Sequence, residues 1–288
     1  MALVQISSDE MGKWQGDLHA LPKTAPVAIM LHGYKYRPGD RTDCPHASLY
    51  AAEAQNAIQR SQPWPKRLGI GTSDRPAIGF GWPARGSVWA AWRQAEIAGR
   101  ALAEVIDALK ADAPHRPIRL LGHSMGARVA LCALARCGQG HVHSAILLNA
   151  ADFTKNALRA QARHAGTSFQ MINVTSRENA VFDLLTELCL LAPLQSERAL
   201  GRGLDGPHAL TLRLDHLDDR SALASLGFAV PPPDRSICHW STYLRPGTGA
   251  IYRALLDGTL RPDVLRAALH AARCDGAEPQ TDFDAQVA

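Results

Sequence analysis

The chain has 288 residues, 46% hydrophobic and 20% charged, which is material for a sizeable core in a soluble globular protein. A net charge of +4, with arginines scattered rather than massed in a stripe, argues against a nucleic-acid partner. No run reaches the roughly 18 consecutive apolar residues of a membrane span, and "MALVQISSDEMGKW" lacks the basic-then-apolar order of a secretory signal, so no membrane partner is expected.

In chain order, residues 26–31 ("PVAIML") are a short unbroken apolar run, as in a strand buried on both faces of a parallel sheet. They stop at the turn-rich "HGYKYRPGD"; a helix is expected over 48–60 and a second buried strand at 76–80 ("PAIGF"). Residues 88–110 form the strongest predicted helix, with Ile97, Ala101, Val105 and Leu109 as its apolar stripe. A strand at 117–122 ("PIRLLG") then leads into a helix at 125–137. Strands at 145–149, 169–174 and 209–214 follow, with helices at 154–164, 180–191, 247–257 and 262–273 and a frayed tail from about 275. This alternation predicts one α/β domain, a mostly parallel central sheet flanked by helices on both faces. The six cysteines make no CxxC pair and read as the reduced thiols of a cytoplasmic protein.

"LLGHSMGARV" (120–129) places Gly-x-Ser-x-Gly between the strand at 117–122 and the helix at 125–137. Such a turn is too tight for a Cβ two residues either side of the serine, which accounts for Gly122 and Gly126 and leaves the Ser124 hydroxyl projecting above the strand end. The Met125 amide, at the positive end of a helix dipole, faces the position of a developing oxyanion. The loop "LHGYKY" follows an earlier strand, and its Gly33 turn makes the Tyr34 amide the second candidate donor. A serine hydroxyl needs a base to act at neutral pH, and twelve histidines are available. His115, His141, His143 and His164 lie in surface connections, and His141-x-His143 lacks further ligands, so no metal site and no cofactor are expected. His123 sits inside the elbow and is expected to face the sheet. The carboxylates that follow strands downstream are Asp152, Glu178 and Asp183, each of which could instead cap a helix.

The segments "HGY", "GHSMG", "VTSREN" and "CHW", in this order, resemble the α/β-hydrolase superfamily of serine hydrolases. "FGWPARG" followed by "LLGHSMGARVAL" is similar to the bacterial esterase-like branch without a large lid, over roughly residues 26–256. The resemblance implies that the base follows the acid near the C-terminus, which among His208, His216, His239 and His270 selects His239 in "SICHWSTYLRPG". It implies a catalytic acid after the strand at 169–174, where Glu178 is the first choice and Asp183 an alternative; a minority of the superfamily place the acid after the preceding strand, which makes Asp152 the other alternative. Many relatives carry Asp immediately after the residue matching Asn179, where this chain has Ala180. The expected activity is hydrolysis of a small carboxylic ester through an acyl-enzyme on Ser124. An acyltransferase with the same triad, or a non-catalytic binding module on the same fold, are the alternatives. Trp82, Tyr34, Tyr36 and Trp240 are candidates for the wall of an acyl pocket.

Overall fold

The computed structural model describes residues 2–10, 12–53, 62–191 and 197–275. Seven strands form a single, wholly parallel sheet in the order β1-β3-β2-β4-β5-β6-β7. They are β1 (Leu3–Ser7), β2 (Val27–Leu31), β3 (Ala77–Gly81), β4 (Ile118–His123), β5 (Ser144–Leu148), β6 (Gln170–Thr175) and β7 (Ala209–Arg213). The helices are α1 (Gln15–His19), α2 (Trp64–Leu68), α3 (Val88–Asp112), α4 (Met125–Leu134), α5 (Thr154–Arg163), α6 (Ala180–Leu191), α7 (Leu217–Ser225), α8 (Ser241–Leu244), α9 (Thr248–Asp257) and α10 (Pro262–Asp275). No helix among the described residues is long and apolar enough to cross a membrane.

The unbroken apolar runs are explained by the two layers they feed. Successive side chains of a strand point to opposite faces. Thus Ile29 and Leu31 of β2 join Leu120 of β4 and Leu147 of β5 under α3, α4 and α5. Ala28 and Met30 join Leu121, Ile146 and Val174 on the other face, under α7, α9 and α10. The expected helix at 88–110 is α3, capped by Ser87, whose Oγ accepts from the Ala90 amide. Its buried stripe runs through Ala91, Ala95, Ala98, Leu102, Val105 and Leu109. Ile97, placed in the stripe from sequence, is instead 54% exposed, because the helix sets its small alanines against α4.

Two expectations differ. Residues 48–53 are turns and bends rather than helix, and the rest of the segment expected to be helical lies outside the described residues, as does the tail beyond 275. β1, α1, α2, α7 and α8 have no counterpart among the expected elements: "LVQIS" is short and half polar, and β1 is an edge strand paired only to β3. The chain runs from β2 to β3 on one side and then crosses back to β4 on the other. The crevice at the carboxyl ends of β2 and β4 is therefore the topological switch point, where open α/β sheets bind ligands.

Candidate active site

Ser124 stands on that crevice, at the end of β4 and the start of α4. Its backbone is held at φ 55°, ψ −125°, a sparsely populated conformation that persists only when its surroundings enforce it. The Ser124 amide donates to Leu148 O at 2.9 Å, and Ser124 O accepts from the Ala127 and Ala151 amides. A Cβ on Gly126 would lie 2.1 Å from Leu31 O, and one on Gly122 would lie 2.8 Å from the Ala127 nitrogen. Only glycine lets α4 start so close beneath β2.

The loop after β2 leans on the elbow. A Cβ on Gly33 would sit 2.9 Å from the Ser124 Cβ, so this glycine serves close approach. The sharp turn expected at Gly33 is at Lys35 instead, with φ 79° and its amide donating to Ala84 O. His32 fixes the loop from below: its Nδ1–H donates to Gly33 O at 2.8 Å, and Nε2 accepts from the Trp82 amide at 3.1 Å. Burial lowers the His32 pKa to about 3, so the ring is the neutral tautomer that this pairing demands. Tyr34 and Met125 line the same cavity as Ser124, and neither amide donates to a carbonyl among the described residues. Trp82 is fully buried and stacks on His32 behind the loop, so it supports the site without lining it.

His239 lies on the loop before α8 and borders the same cavity. Its backbone carbonyl accepts from His123 Nε2 at 3.0 Å and from Asn149 Nδ2 at 2.8 Å. The preceding Cys238 amide donates to Glu178 O at 2.9 Å. His123 thus faces the histidine loop, not the sheet residues as expected. Asn149 has φ 42°, and together with Lys35 and Ser124 it completes the non-glycine residues of positive φ among the described residues. All three follow the carboxyl ends of adjacent strands around the crevice. Burial, reinforced by the neighbouring His123 ring, holds the His239 pKa well below its ordinary value.

The residue that orients His239 is an amide. His239 Nδ1–H donates to Asn179 Oδ1 at 2.6 Å, and Asn179 Nδ2 donates to Asp183 Oδ1 at 2.9 Å. With the Asp183 carboxyl ionised and so able only to accept, the second bond fixes which end of the amide faces the ring. With its nitrogen engaged by Asp183, Asn179 offers its oxygen to the histidine, which leaves Nε2 without the proton. Burial pushes the Asp183 carboxyl up to about 7. In either protonation state it has an oxygen for Nδ2.

Glu178, the first-choice acid, does not reach His239. It is buried in an ion pair with Arg245 and accepts from Ser176 Oγ. Glu178 and Asn179 share the 3₁₀ turn Arg177–Asn179, in which successive side chains diverge by about 120°, so only one of them can point at the histidine. Asp152 is taken up by Arg128, the Phe153 amide and Asn156. Asp183 touches His239 only through Asn179. In the sequence the signal that marks Asn179 is its i, i+4 spacing from Asp183, since the orienting role ordinarily falls to a carboxylate.

The cavity holds about 370 Å³. Tyr34, Tyr36 and Trp240 line it as expected, with Leu49, Trp64 and Val88 beside them and Phe182, Leu185 and Leu190 of α6 along one wall. Among the described residues, no group of three or more His, Cys, Asp or Glu is placed to hold a metal ion.

Among solved structures, the chain is similar to a lipase-esterase related protein from Clostridium acetobutylicum ATCC 824, at 10% identity over 72% of this chain and 96% of that one, with a TM-score of 0.34. It is also similar to MenH from S. aureus, at 11% identity over 86% of this chain and 96% of that one, with a TM-score of 0.39. Likenesses this distant say nothing of activity. No curated protein matches the chain. Residues 15–184 match the family described as "Alpha/beta hydrolase of unknown function (DUF900)". That match spans more than half of the chain, and with the seven-stranded parallel sheet it makes the protein a member of the DUF900 family of α/β hydrolases.

Proposed function

We propose that the protein is a serine hydrolase of carboxylic esters, with Ser124 as nucleophile, His239 as base and Asn179 as the group that orients the base. The observation that carries this reading is the strained Ser124 elbow opening into the same cavity as a histidine whose Nδ1 is already engaged. In this scheme His239 Nε2 takes the Ser124 proton as Oγ bonds to the acyl carbon. The resulting oxyanion sits between the Tyr34 and Met125 amides, and the proton passes to the leaving alcohol. Water then attacks the acyl-enzyme by the same route in reverse and frees the acid. Asn179 carries no charge, so it holds the tautomer without adding a carboxylate's attraction for the imidazolium.

A p-nitrophenyl ester series tests the substrate class. Each methylene transferred into the apolar cavity is worth about 0.8 kcal/mol, or roughly fourfold in kcat/KM. Activity is expected to climb from acetate until the cavity is filled and then to level off. A series that falls from acetate onward would remove the apolar wall from the account. The pH profile tests the base. A general base works deprotonated, and the His239 pKa is depressed, so the acid limb falls below pH 6.5. Turnover at pH 6 is expected to stay within about twofold of that at pH 8, whereas an unperturbed imidazole near 6.5 would cost roughly fourfold.

A further inference from the structure

Helix α6 carries Val181, Leu184, Leu185 and Leu188 at i, i+3, i+4 and i+7, the spacing by which a helix buries one face. Here that face points outward: the four residues are 43%, 48%, 48% and 62% exposed. Trp89 of α3 extends the stripe, exposed itself, with Nε1 donating to Cys189 O at 2.8 Å and so tying the two helices together. Contiguous exposed apolar surface of this kind marks an interaction site.

The flanks of the stripe say what it meets. On one side, Phe182, Leu185 and Cys189 line the cavity that holds Ser124. On the other, Ala180 and Asp183 border a second cavity of about 410 Å³, ringed by Arg177, Arg198, Arg202 and Arg213. Arg202 is spent on Glu187. The guanidinium groups of Arg177, Arg198 and Arg213 have no hydrogen bond or ion pair among the described residues. The acids facing them there are Asp183, already bonded to Asn179, and Asp215, which accepts from the Arg177 amide. α6 itself carries Asp183 and Glu187 and no basic residue, so the cations come from its flanks. An outward apolar stripe beside arginines that make no ion pair with a described residue offers apolar side chains to a headgroup boundary and cations to its phosphates.

We propose that α6 docks the protein on anionic lipid surfaces, its leucines entering the headgroup boundary and Arg177 and Arg198 meeting lipid phosphates, with the mouth of the Ser124 cavity turned toward the lipid. The expectation of no membrane partner concerns a spanning run and a secretory signal, and docking on a lipid surface needs neither. The proposal goes beyond the hydrolase reading and is measured without turnover.

The test is co-sedimentation of the full chain with phosphatidylcholine vesicles with and without phosphatidylglycerol. Wild type is expected to pellet with the anionic vesicles, to stay in solution with phosphatidylcholine alone, and to be released by high salt. Leu184→Glu/Leu188→Glu, at exposed positions outside the cavity, is expected to weaken partition by about tenfold or more. Arg177→Gln/Arg198→Gln should lower it less and flatten the salt dependence. Ser124→Ala should pellet like wild type, which separates failure of docking from failure of the hydrolase reading. The proposal is overturned if wild type stays in solution with anionic vesicles, or if the leucine variant partitions unchanged with its circular dichroism intact. A wild-type dimer that this variant converts to monomer would also overturn it, by giving the stripe to a second copy.

Discussion

Ser124→Ala is expected to lower ester turnover by about 10⁴–10⁶-fold, the usual loss when a triad nucleophile goes, with no loss of stability. The fold has no need of the hydroxyl. The positive-φ backbone is enforced by the Leu148 and Ala127 hydrogen bonds and by the close approach of β2, all of which alanine keeps. Its Cβ still meets Gly33 in the same way. Retention of turnover within tenfold of wild type, with unchanged circular dichroism, would remove Ser124 from the mechanism. His239→Ala should match it in severity, since nucleophile and base act as a unit.

The second large effect concerns two adjacent residues that the chain puts to different uses. Asn179→Leu keeps the branched outline of the side chain but deprives His239 Nδ1–H of its acceptor. The ring is then free to rotate or change tautomer, and a loss of about 10²–10⁴ in turnover is expected. Glu178→Gln should spare turnover per folded molecule and reduce stability instead. The carboxylate and Arg245 are both buried, and removing one member of such a pair leaves an uncompensated charge, at a cost of about 3–5 kcal/mol. The Glu178 carbonyl that holds Cys238 is backbone and survives the substitution. Kinetics and denaturant melts of the two variants side by side decide the matter. A Glu178→Gln enzyme that keeps its stability but loses turnover would hand the orienting role back to the carboxylate.

What could be read from the residues, and what could not, follows the range of the interactions concerned. The central strands were legible because burial on both faces forces unbroken apolar runs, as in "VAIML" and "AILL". The elbow was legible because its glycines answer a local steric demand. Edge strand β1 was not, since one neighbour and partial exposure leave it little pattern. The choice between Glu178 and Asn179 was hidden for another reason. It depends on Arg245, 67 residues away along the chain, drawing the carboxylate into the core. Likewise "AVFDLLTELCLL" announces an apolar helix, but nothing in it says that its stripe faces outward. Local sequence specified the elements, and long-range partners decided which side chains were left for chemistry.

The central claim is that Ser124 is an activated nucleophile, and covalent labelling with a fluorophosphonate reads this without knowledge of the substrate. Only a serine deprotonated by a positioned base attacks the phosphorus. Intact mass and peptide mapping are expected to place a single adduct on Ser124, absent from Ser124→Ala and strongly slowed in His239→Ala and Asn179→Leu. A folded wild-type protein that takes up no label, or takes it up equally in Ser124→Ala, would contradict the account.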